Sequence, residues 1–283
     1  MAKMMTGHKY ATPFNMLHAA MLLGQKSRLA KFSQAIHQIV KINDYVVDIG
    51  TGSGVLAIMA AQAGAGKVTA IDINRESIEF AKHAAALNNV ADRIDFITGH
   101  FSDFAPTEKA DVVICEMLSS IMLIEQQVPA SYHAVEKILK PEGIIIPQRV
   151  TIYIVPVESS VMADRFTFNH LEFPKVVQTV DQNSVTDLAD MQVLHEVDLT
   201  KPTTNFEIDR TMEFHIVSDG VIHGLVGLFE SVLYNDINLN MEDGWKQLFL
   251  PIESFIEVSK GEKFSVKVTY TPGKYNSLQI AIL

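Results

Sequence analysis

Residues 46–54 read Val-Val-Asp-Ile-Gly-Thr-Gly-Ser-Gly, an apolar strand that runs into a glycine-rich turn. Gly50, Gly52 and Gly54 can adopt backbone angles and close approaches that a Cβ would block. A turn of this kind binds a nucleotide-type ligand against the main chain at the first switch point of an open α/β sheet. Asp72 ends the next apolar run, 22 residues beyond Gly50, where a carboxylate can accept hydrogen bonds from a ribose diol.

The spacing of the glycines distinguishes between nucleotides. A dinucleotide fingerprint has its third glycine three positions after the second, where this chain has Val55. A carboxylate at Asp48 would repel a pyrophosphate but would suit a ligand with an ammonium or sulfonium group. The pattern therefore favours S-adenosylmethionine over NAD, although a glycine turn with a buried Asp48 and no ligand is the alternative. The predicted cofactor contacts in this region are Asp48, Gly50, Thr51, Gly52, Gly54, Asp72 and Ile73.

Composition suits a soluble enzyme. The 283 residues carry 33 acidic and 23 basic side chains, a formal net charge of −10, which disfavours nucleic acid because its nonspecific binding depends on clustered Lys and Arg. Cys115 is the single cysteine, and no signal peptide or long apolar span is evident, so we expect a cytoplasmic protein without a disulfide framework. The histidines lack metal-ligand spacing, so no metal is expected.

The chain divides into three segments with different patterns. Residues 1–40 have apolar positions at helical spacing and predict a helical cap. Residues 41–147 alternate strands with helices and predict a Rossmann-like, doubly wound α/β sheet that binds the cofactor. The predicted elements include strands at Tyr45–Ile49 and Ile94–Thr98, a helix at Arg75–Leu87 and a helix through Val135 to Leu139. Residues 148–283 are rich in short Val, Ile, Thr and Phe stretches and predict a C-terminal antiparallel β domain for the substrate. Within it, residues 158–195 are more polar and partly helical in pattern, and we interpret them as an excursion.

The order of these parts, together with four stretches, resembles the protein arginine methyltransferases. The stretches are VVDIGTGSG, CEMLSSIMLIEQQ with Glu116 and Glu125, LKPEGIIIPQRVTIYIVPVES, and GWKQ. The resemblance covers most of the chain and is strongest from residue 46 to 157. It implies methyl transfer from S-adenosylmethionine to a basic nitrogen on a protein or small molecule, and a possible homodimer formed through the excursion.

The chemistry of the acceptor explains why two carboxylates would be needed. A guanidinium is planar, charged at neutral pH and offers forked donors that match carboxylates. Glu116 and Glu125 would therefore grip and orient it as catalytic residues, the alternative being two solvated acids. The resemblance also implies that Arg28 pairs with the carboxylate of the cofactor and that Phe101 and Ser102 hold its adenine. Glu116 belongs to the expected cofactor contacts as well.

The chain departs from the family pattern on the acceptor side. The family has a histidine before the tryptophan that matches Trp245, but this chain has Gly244 there, and Met117 and Ser120 replace aromatic residues. The departures leave open which acceptor is used. Two other functions stay open: a nucleic-acid methylase, disfavoured because no Asn/Asp-Pro-Pro-aromatic motif follows the fourth strand, and a non-catalytic cofactor-binding protein, which would not need the glutamates.

Overall fold

The structure is a computed structural model that describes residues 16–283. These residues form two compact units. The first unit contains the chain up to Glu116 together with His133–Ile146, and the second contains Met117–Tyr132 together with Pro147–Leu283. Residues 117–132, which include Glu125, thus group with the later part of the chain. The domain boundaries at residues 40 and 147 stay a prediction, and the first 15 residues of the expected cap lie outside the described residues.

The first unit contains the predicted parallel sheet. Within its described residues the sheet has five strands in the order β3-β2-β1-β4-β5, all parallel. This order reverses direction between β1 and β4 and is that of a doubly wound fold, which confirms the predicted class. The strands are β1 (Tyr45–Ile49), β2 (Lys67–Asp72), β3 (Ile94–Thr98), β4 (Ala110–Cys115) and β5 (Leu139–Ile146).

Helices precede and connect these strands. Each of β1's five residues is buried, as expected for a central strand of a parallel sheet covered on both faces. The helix between β2 and β3 begins at the cap Asn74, whose side chain accepts from the backbone N–H of Glu76. The helices of the first unit are α1 (Met16–Leu22), α2 (Lys26–Ile39), α3 (Val55–Gln62) and α4 (Arg75–Leu87). A further helix, α5 (Gln127–His133), follows β4 in sequence and, except for His133, belongs to the second unit.

The helix predicted through Val135 to Leu139 is present, but its last part is π-helical and it ends one residue early, at Ile138. After α5 the chain forms a π-helical turn over Ala134–Ile138, and Leu139 already begins β5. Pro141 explains the difference, because a proline disfavours the α conformation of the residue before it and so drives Lys140 into an extended backbone.

The second unit is antiparallel throughout its described strand pairs, as predicted. Its larger sheet has the order β10-β6-β13-β15-β9, with β11 paired to β6 and β14 to β13, and a smaller sheet has the order β12-β16-β17. The strands of these two sheets are β6 (Arg149–Glu158), β9 (Gln178–Val180), β10 (Thr186–Asp187), β11 (Gln192–Asp198), β12 (Ile208–His215), β13 (Gly220–Tyr234), β14 (Ile237–Leu239), β15 (Gln247–Val258), β16 (Lys263–Tyr270) and β17 (Gln279–Ile282).

The excursion at residues 158–195 is less helical than its sequence pattern indicated. It contains one five-residue helix, α6 (Ser160–Asp164), and a hairpin of β7 (Thr167–Phe168) with β8 (Leu171–Glu172), before β9, β10 and the start of β11. Strands of two or three residues are too short to give a readable alternation. Across residues 16–283, none of the helices is both long and apolar enough to cross a membrane.

Candidate active site

The predicted cofactor residues of the first unit meet at one edge of its sheet. In register, Ile49 of β1 lies opposite Ile71 of β2 on one side and Cys115 of β4 on the other. Because the strands are parallel, the glycine turn, Asp72 and Glu116 all lie at the carboxyl ends of neighbouring strands. This edge, at the switch point between β1 and β4, is where open α/β sheets bind their ligands.

The glycine turn uses backbone conformations that favour glycine. Gly50, Gly52 and Gly54 have φ values of 74°, 53° and 79°, all in the left-handed region. A Cβ on Gly54 would lie 2.7 Å from the Cβ of Ala81 on α4, so this glycine also allows α3 and α4 to pack closely. The N–H groups of Gly50 and Thr51 both donate to the carbonyl of Ile71, at 2.9 and 3.0 Å. The turn is therefore tied to β2.

Asp48 lies beneath this turn and is 1% exposed. Thr51 Oγ1 donates to its Oδ2 at 2.6 Å, whereas its Oδ1 has no hydrogen-bond partner within residues 16–283. Burial raises the pKa of Asp48 to about 7, against the lowering effect of the Thr51 hydrogen bond. The carboxyl group is therefore buried beneath the turn, and it leaves a buried acceptor beside the expected ligand.

Asp72 joins the glycine turn to the start of α4 through its two carboxylate oxygens. Its Oδ2 accepts from the backbone N–H of Gly52 at 2.9 Å, and its Oδ1 accepts from that of Asn74 at 2.8 Å. Burial raises the pKa of Asp72, and these two backbone hydrogen bonds oppose the rise. A carboxylate has about four acceptor sites, so both oxygens retain capacity for a diol. Ile73, the next residue, is half-buried.

The segment after β3 contains the two residues expected at the adenine. Phe101 is 8% exposed, and its ring centroid lies 4.1 Å from that of His100 and 5.8 Å from that of His133. Ser102 is exposed, and its hydroxyl lies 2.9 Å from His100 Nδ1. Phe101 is thus part of a packed ring cluster, and a contact of either residue with adenine stays a prediction.

Arg28 and Glu116 form an ion pair in the first unit. Arg28 lies in the first turn of α2, and its Nη2 donates to Glu116 Oε2. Both side chains are largely buried, with 7% and 11% exposed. Gln25 Oε1 accepts from Arg28 Nη1 at 2.9 Å and fixes the guanidinium further. The expected anchor of the cofactor and one expected acceptor residue therefore contact each other directly.

Helix α1 reaches the same edge. The Cβ of Ala19 is 3.5 Å from the position that a Cβ on Gly52 would take. Burial and the nearby charge of Arg28 lower the pKa of His18. The sequence patterns did not single out Gln25, His18 or Ala19, because their relevance depends on how α1 and α2 fold back over the glycine turn.

Glu125 lies in the second unit, in the loop that precedes α5. Its backbone N–H donates to Ser119 Oγ at 3.1 Å, and its side chain is half-buried. Gln127, fully buried, accepts from the N–H of Met117 at 2.8 Å and donates to Ser131 Oγ at 2.9 Å. The first unit thus brings together Arg28, the glycine turn, Asp72 and Glu116, whereas the meeting of Glu116 with Glu125 stays a prediction.

These features fit S-adenosylmethionine. The glycine backbone would let the ligand approach closely, Asp72 offers carboxylate oxygens for a ribose, and the guanidinium of Arg28 suits an amino-acid carboxylate. The buried acceptor of Asp48 adds a negative or hydrogen-bonding group near the turn. No described residues form a cluster of His, Cys, Asp and Glu that would hold a metal ion.

Comparison with known proteins supports the same conclusion. The family model of the ribosomal protein L11 methyltransferase (PrmA) matches residues 32–149, and that of the PRMT5 oligomerisation domain matches residues 149–273. The chain is 26% identical over 262 residues to protein arginine N-methyltransferase 1.1 of Arabidopsis thaliana, covering 84% of this chain and 66% of the relative. It is 25% identical over 268 residues to protein arginine N-methyltransferase 6 of Danio rerio, covering 84% and 76%.

Two further matches cover most of this chain and most of the matched protein. An uncharacterized protein of Methanocaldococcus jannaschii is 31% identical over 228 residues, covering 79% of this chain and 86% of the relative. The fold resembles the Trypanosoma brucei PRMT1 enzyme-prozyme heterotetrameric complex with AdoHcy, with a TM-score of 0.78, 18% identity, and coverage of 94% of this chain and 92% of that one. By these matches the chain is similar to the S-adenosylmethionine-dependent methyltransferases, as a divergent relative of the protein arginine methyltransferases. Its cofactor is S-adenosylmethionine.

Proposed function

We propose that this protein transfers a methyl group to a basic nitrogen, with the guanidinium of a protein arginine as the first candidate and a small guanidine or amine as the second. The curated relatives named above are arginine N-methyltransferases, and the chain spans 66% and 76% of their lengths. The observation that carries the proposal is the position of Glu116. It directly follows β4 at the edge where the glycine turn begins, and Arg28 holds its carboxylate.

The glutamates supply orientation and charge compensation. S-adenosylmethionine brings an electrophilic methyl group on a sulfonium, and the chain has to present a nitrogen lone pair in line with it. A carboxylate on either side of a guanidinium would fix its plane and favour the attacking nitrogen through charge-assisted hydrogen bonds. In the proposal Glu116 and Glu125 have this role, and Arg28 keeps Glu116 in place.

The glycine that replaces the family histidine has a backbone conformation that suits glycine. Gly244 has φ 126° and ends a short turn over Met241–Asp243. A side chain at this position would be strained, so Gly244→His would not restore an imidazole without moving the loop. The neighbouring Trp245 donates from Nε1 to the carbonyl of Leu118 at 2.9 Å. The carboxylates would therefore orient the acceptor without help from a histidine at this place.

Glu125→Gln is the sharpest test. It keeps the shape of the side chain and removes one charge, so turnover should fall by about 100-fold, while cofactor affinity measured by calorimetry stays unchanged. Glu116→Gln should also lower turnover, but it is less specific because Glu116 is bound to Arg28. Glu253→Gln, an exposed glutamate on β15, is the matched control. An acceptor whose methylation tolerates both site substitutions would contradict the roles proposed for the glutamates.

We further propose that the chain forms a homodimer through the excursion. Apolar side chains are exposed along it, with Phe168 at 67%, Leu171 at 59% and Phe173 at 54%. Exposed apolar patches of this kind mark interaction sites, and the family model that matches residues 149–273 is described as an oligomerisation domain. Leu171→Glu should shift sedimentation of the wild-type dimer to a monomer, with Leu87→Glu, an exposed apolar position on α4 outside the excursion, as the control. A wild-type monomer would contradict the proposal.

The cytoplasmic location expected from the sequence also stays a prediction. Nucleic acid is not proposed as the acceptor, because the net charge of −10 would repel a polyphosphate.

A further inference from the structure

The loop that leads to Glu125 contains two consecutive residues in a strained conformation. Ile121 and Met122 have φ values of 52° and 54°, and both are fully buried. A left-handed backbone is unfavourable for residues with a Cβ, most of all for a β-branched one such as Ile121. Strain of this kind persists only where the surroundings fix it, and it concentrates at functional sites.

The end of β16 fixes this loop from within the second unit. Tyr270 is fully buried, and its hydroxyl donates to the carbonyl of Ile121 at 2.7 Å. Three residues later, the N–H of Gly273 donates to the carbonyl of Met122 at 2.9 Å. Burial raises the pKa of Tyr270 well above its usual range, so its hydroxyl remains a donor. Both strained residues thus have their carbonyls bound by one short segment, Tyr270–Gly273, which we name the Tyr270 turn.

The Tyr270 turn also lies close to the backbone of Glu125. Gly273 has φ 76°, and a Cβ there would lie 3.2 Å from Cα of Gln126 and 3.5 Å from the carbonyl oxygen of Glu125. Strand β13 packs even more closely against the loop. A Cβ on Gly227 would lie 2.4 Å from Cγ2 of Ile121. The backbone of Glu125 is therefore set by how these two glycines and Tyr270 hold the loop.

The turn is itself well fixed. The N–H of Thr271 donates to Ser277 Oγ at 2.9 Å, and the N–H of Lys274 donates to the carbonyl of Thr271 at 3.0 Å. Tyr270 and its hydrogen-bond partner Ile121 are 149 positions apart in the sequence. Tyr270 and Gly273 are both uncharged.

We propose that the Tyr270 turn is a positioning element, which holds the strained Ile121–Met122 pair and thereby sets where Glu125 presents its carboxylate to the methyl acceptor. The inference rests on the proposed function of Glu125. Tyr270 and Gly273 act through the loop and are positioning residues, because they touch neither cofactor nor acceptor in this proposal. A displacement of about 1 Å in a positioned group can cost about 100-fold in rate.

Two substitutions with matched controls test the proposal. Gly273→Ala adds a Cβ against Gln126, whereas Gly261→Ala adds one at a similar positive φ of 93° with nothing within 4 Å. Tyr270→Phe removes the hydroxyl bound to Ile121. Tyr45→Phe is its control, because it removes a buried hydroxyl that lies 3.0 Å from Thr69 Oγ1 in the first unit.

We expect Gly273→Ala to lower kcat for the acceptor by about 10- to 100-fold relative to Gly261→Ala, with the Kd for S-adenosylhomocysteine within about twofold of wild type. Tyr270→Phe should lower kcat in the same way relative to Tyr45→Phe. Because Tyr270→Phe also leaves a buried carbonyl without its donor and so risks unfolding the protein, Gly273→Ala is the deciding variant. Equal turnover of Gly273→Ala and Gly261→Ala would overturn the proposal.

A second measurement does not depend on activity. Trp245 is the single tryptophan of the chain, and it is hydrogen-bonded to Leu118 beside the strained loop. Gly273→Ala should increase acrylamide quenching of its fluorescence, whereas Gly261→Ala should leave quenching as in wild type. If wild type methylates no acceptor, the proposed function fails, and quenching alone decides whether the turn holds the loop. Quenching equal in both variants would then overturn the inference.

Discussion

Arg28 on α2 donates to Glu116 at the end of β4, across 88 residues of sequence. The pair joins a residue expected to bind the carboxylate of the cofactor to one expected to bind the methyl acceptor. Both side chains are nearly buried. Water can therefore compensate neither charge well when its partner is removed. We therefore expect the two predicted binding functions at this edge of the sheet to be coupled through this ion pair.

The ion pair predicts that substitutions of Arg28 and Glu116 have effects on the free energy of unfolding that are far from additive. Arg28→Ala leaves the Glu116 carboxylate buried without its guanidinium and should lower the free energy of unfolding by about 3 kcal/mol. Glu116→Ala should also destabilise, and the double variant should lose less than the sum by about 1 to 3 kcal/mol. Urea unfolding measures all three. The exposed pair Lys82 and Glu79 on α4, 3.0 Å apart, is the control and should show little coupling. Additive losses for Arg28 and Glu116 would contradict the prediction.

Asp72 should contribute to cofactor affinity in the first unit. Asp72→Ala removes the acceptors predicted for the ribose and the hydrogen bond to Gly52, so binding of S-adenosylhomocysteine should weaken by about 1.5 to 3 kcal/mol. Isothermal titration calorimetry gives the change. Asp95→Ala on β3 is the control, since Asp95 is exposed and pairs with Lys67. Unchanged affinity in Asp72→Ala would show that this carboxylate does not bind the cofactor.

The buried carboxyl of Asp48 predicts a pH dependence of stability. Its folded pKa of about 7 lies above the unfolded value of 3.8, so the folded state holds the proton more tightly. The stability that this proton confers is fully present below pH 3.8 and is lost as pH rises to about 7. A tenfold difference in proton affinity between the two states corresponds to about 1.4 kcal/mol of stability. Unfolding of the cofactor-free protein should therefore become easier from pH 5 to 8, and more steeply in wild type than in Asp48→Asn. Identical slopes would argue against the raised pKa.

The N-terminal helices should close over the bound cofactor. Ala19 lies against Gly52, and Leu17 and Met21 on the same helix are 69% and 68% exposed. A ligand held by Arg28 and the glycine turn would stabilise this segment by binding only its folded form. S-adenosylhomocysteine should therefore slow tryptic cleavage at the exposed Lys26, while cleavage at Lys260 in the second unit stays the same. Equal cleavage at Lys26 with and without ligand would indicate an ordinary packed helix.

Much of the first unit follows from sequence because its signals are local. The strands Tyr45–Ile49 and Ile94–Thr98 and the helix Arg75–Leu87 have the predicted bounds, since apolar runs, helical periodicity and caps lie within each segment. The glycines predicted the conformation of the turn, because three positive φ values favour residues without a Cβ. The spacing of the glycines predicted the class of ligand.

The remaining features depend on contacts between distant segments. The partner of Arg28 is 88 residues away and the partner of Tyr270 is 149 residues away, so no local pattern marks either pair. The burial of Asp48 was only an alternative at the level of sequence for a similar reason, because its exposure depends on how β2 and α3 pack around the turn. Ile121 at positive φ runs against its own propensity, and only the tertiary restraints on its carbonyl explain it.

The central claim is that this protein moves a methyl group to a basic nitrogen, and label transfer tests it most directly. Wild type would be incubated with S-adenosylmethionine carrying a tritiated methyl group and with an arginine peptide, its norleucine-substituted match, free arginine, small amines and RNA. We predict label in at least one arginine, guanidine or amine acceptor, none in the norleucine peptide, and a rate that falls by about 100-fold in Glu125→Gln. Cofactor binding by calorimetry without label in any nitrogen acceptor, or with label in RNA alone, would contradict the account.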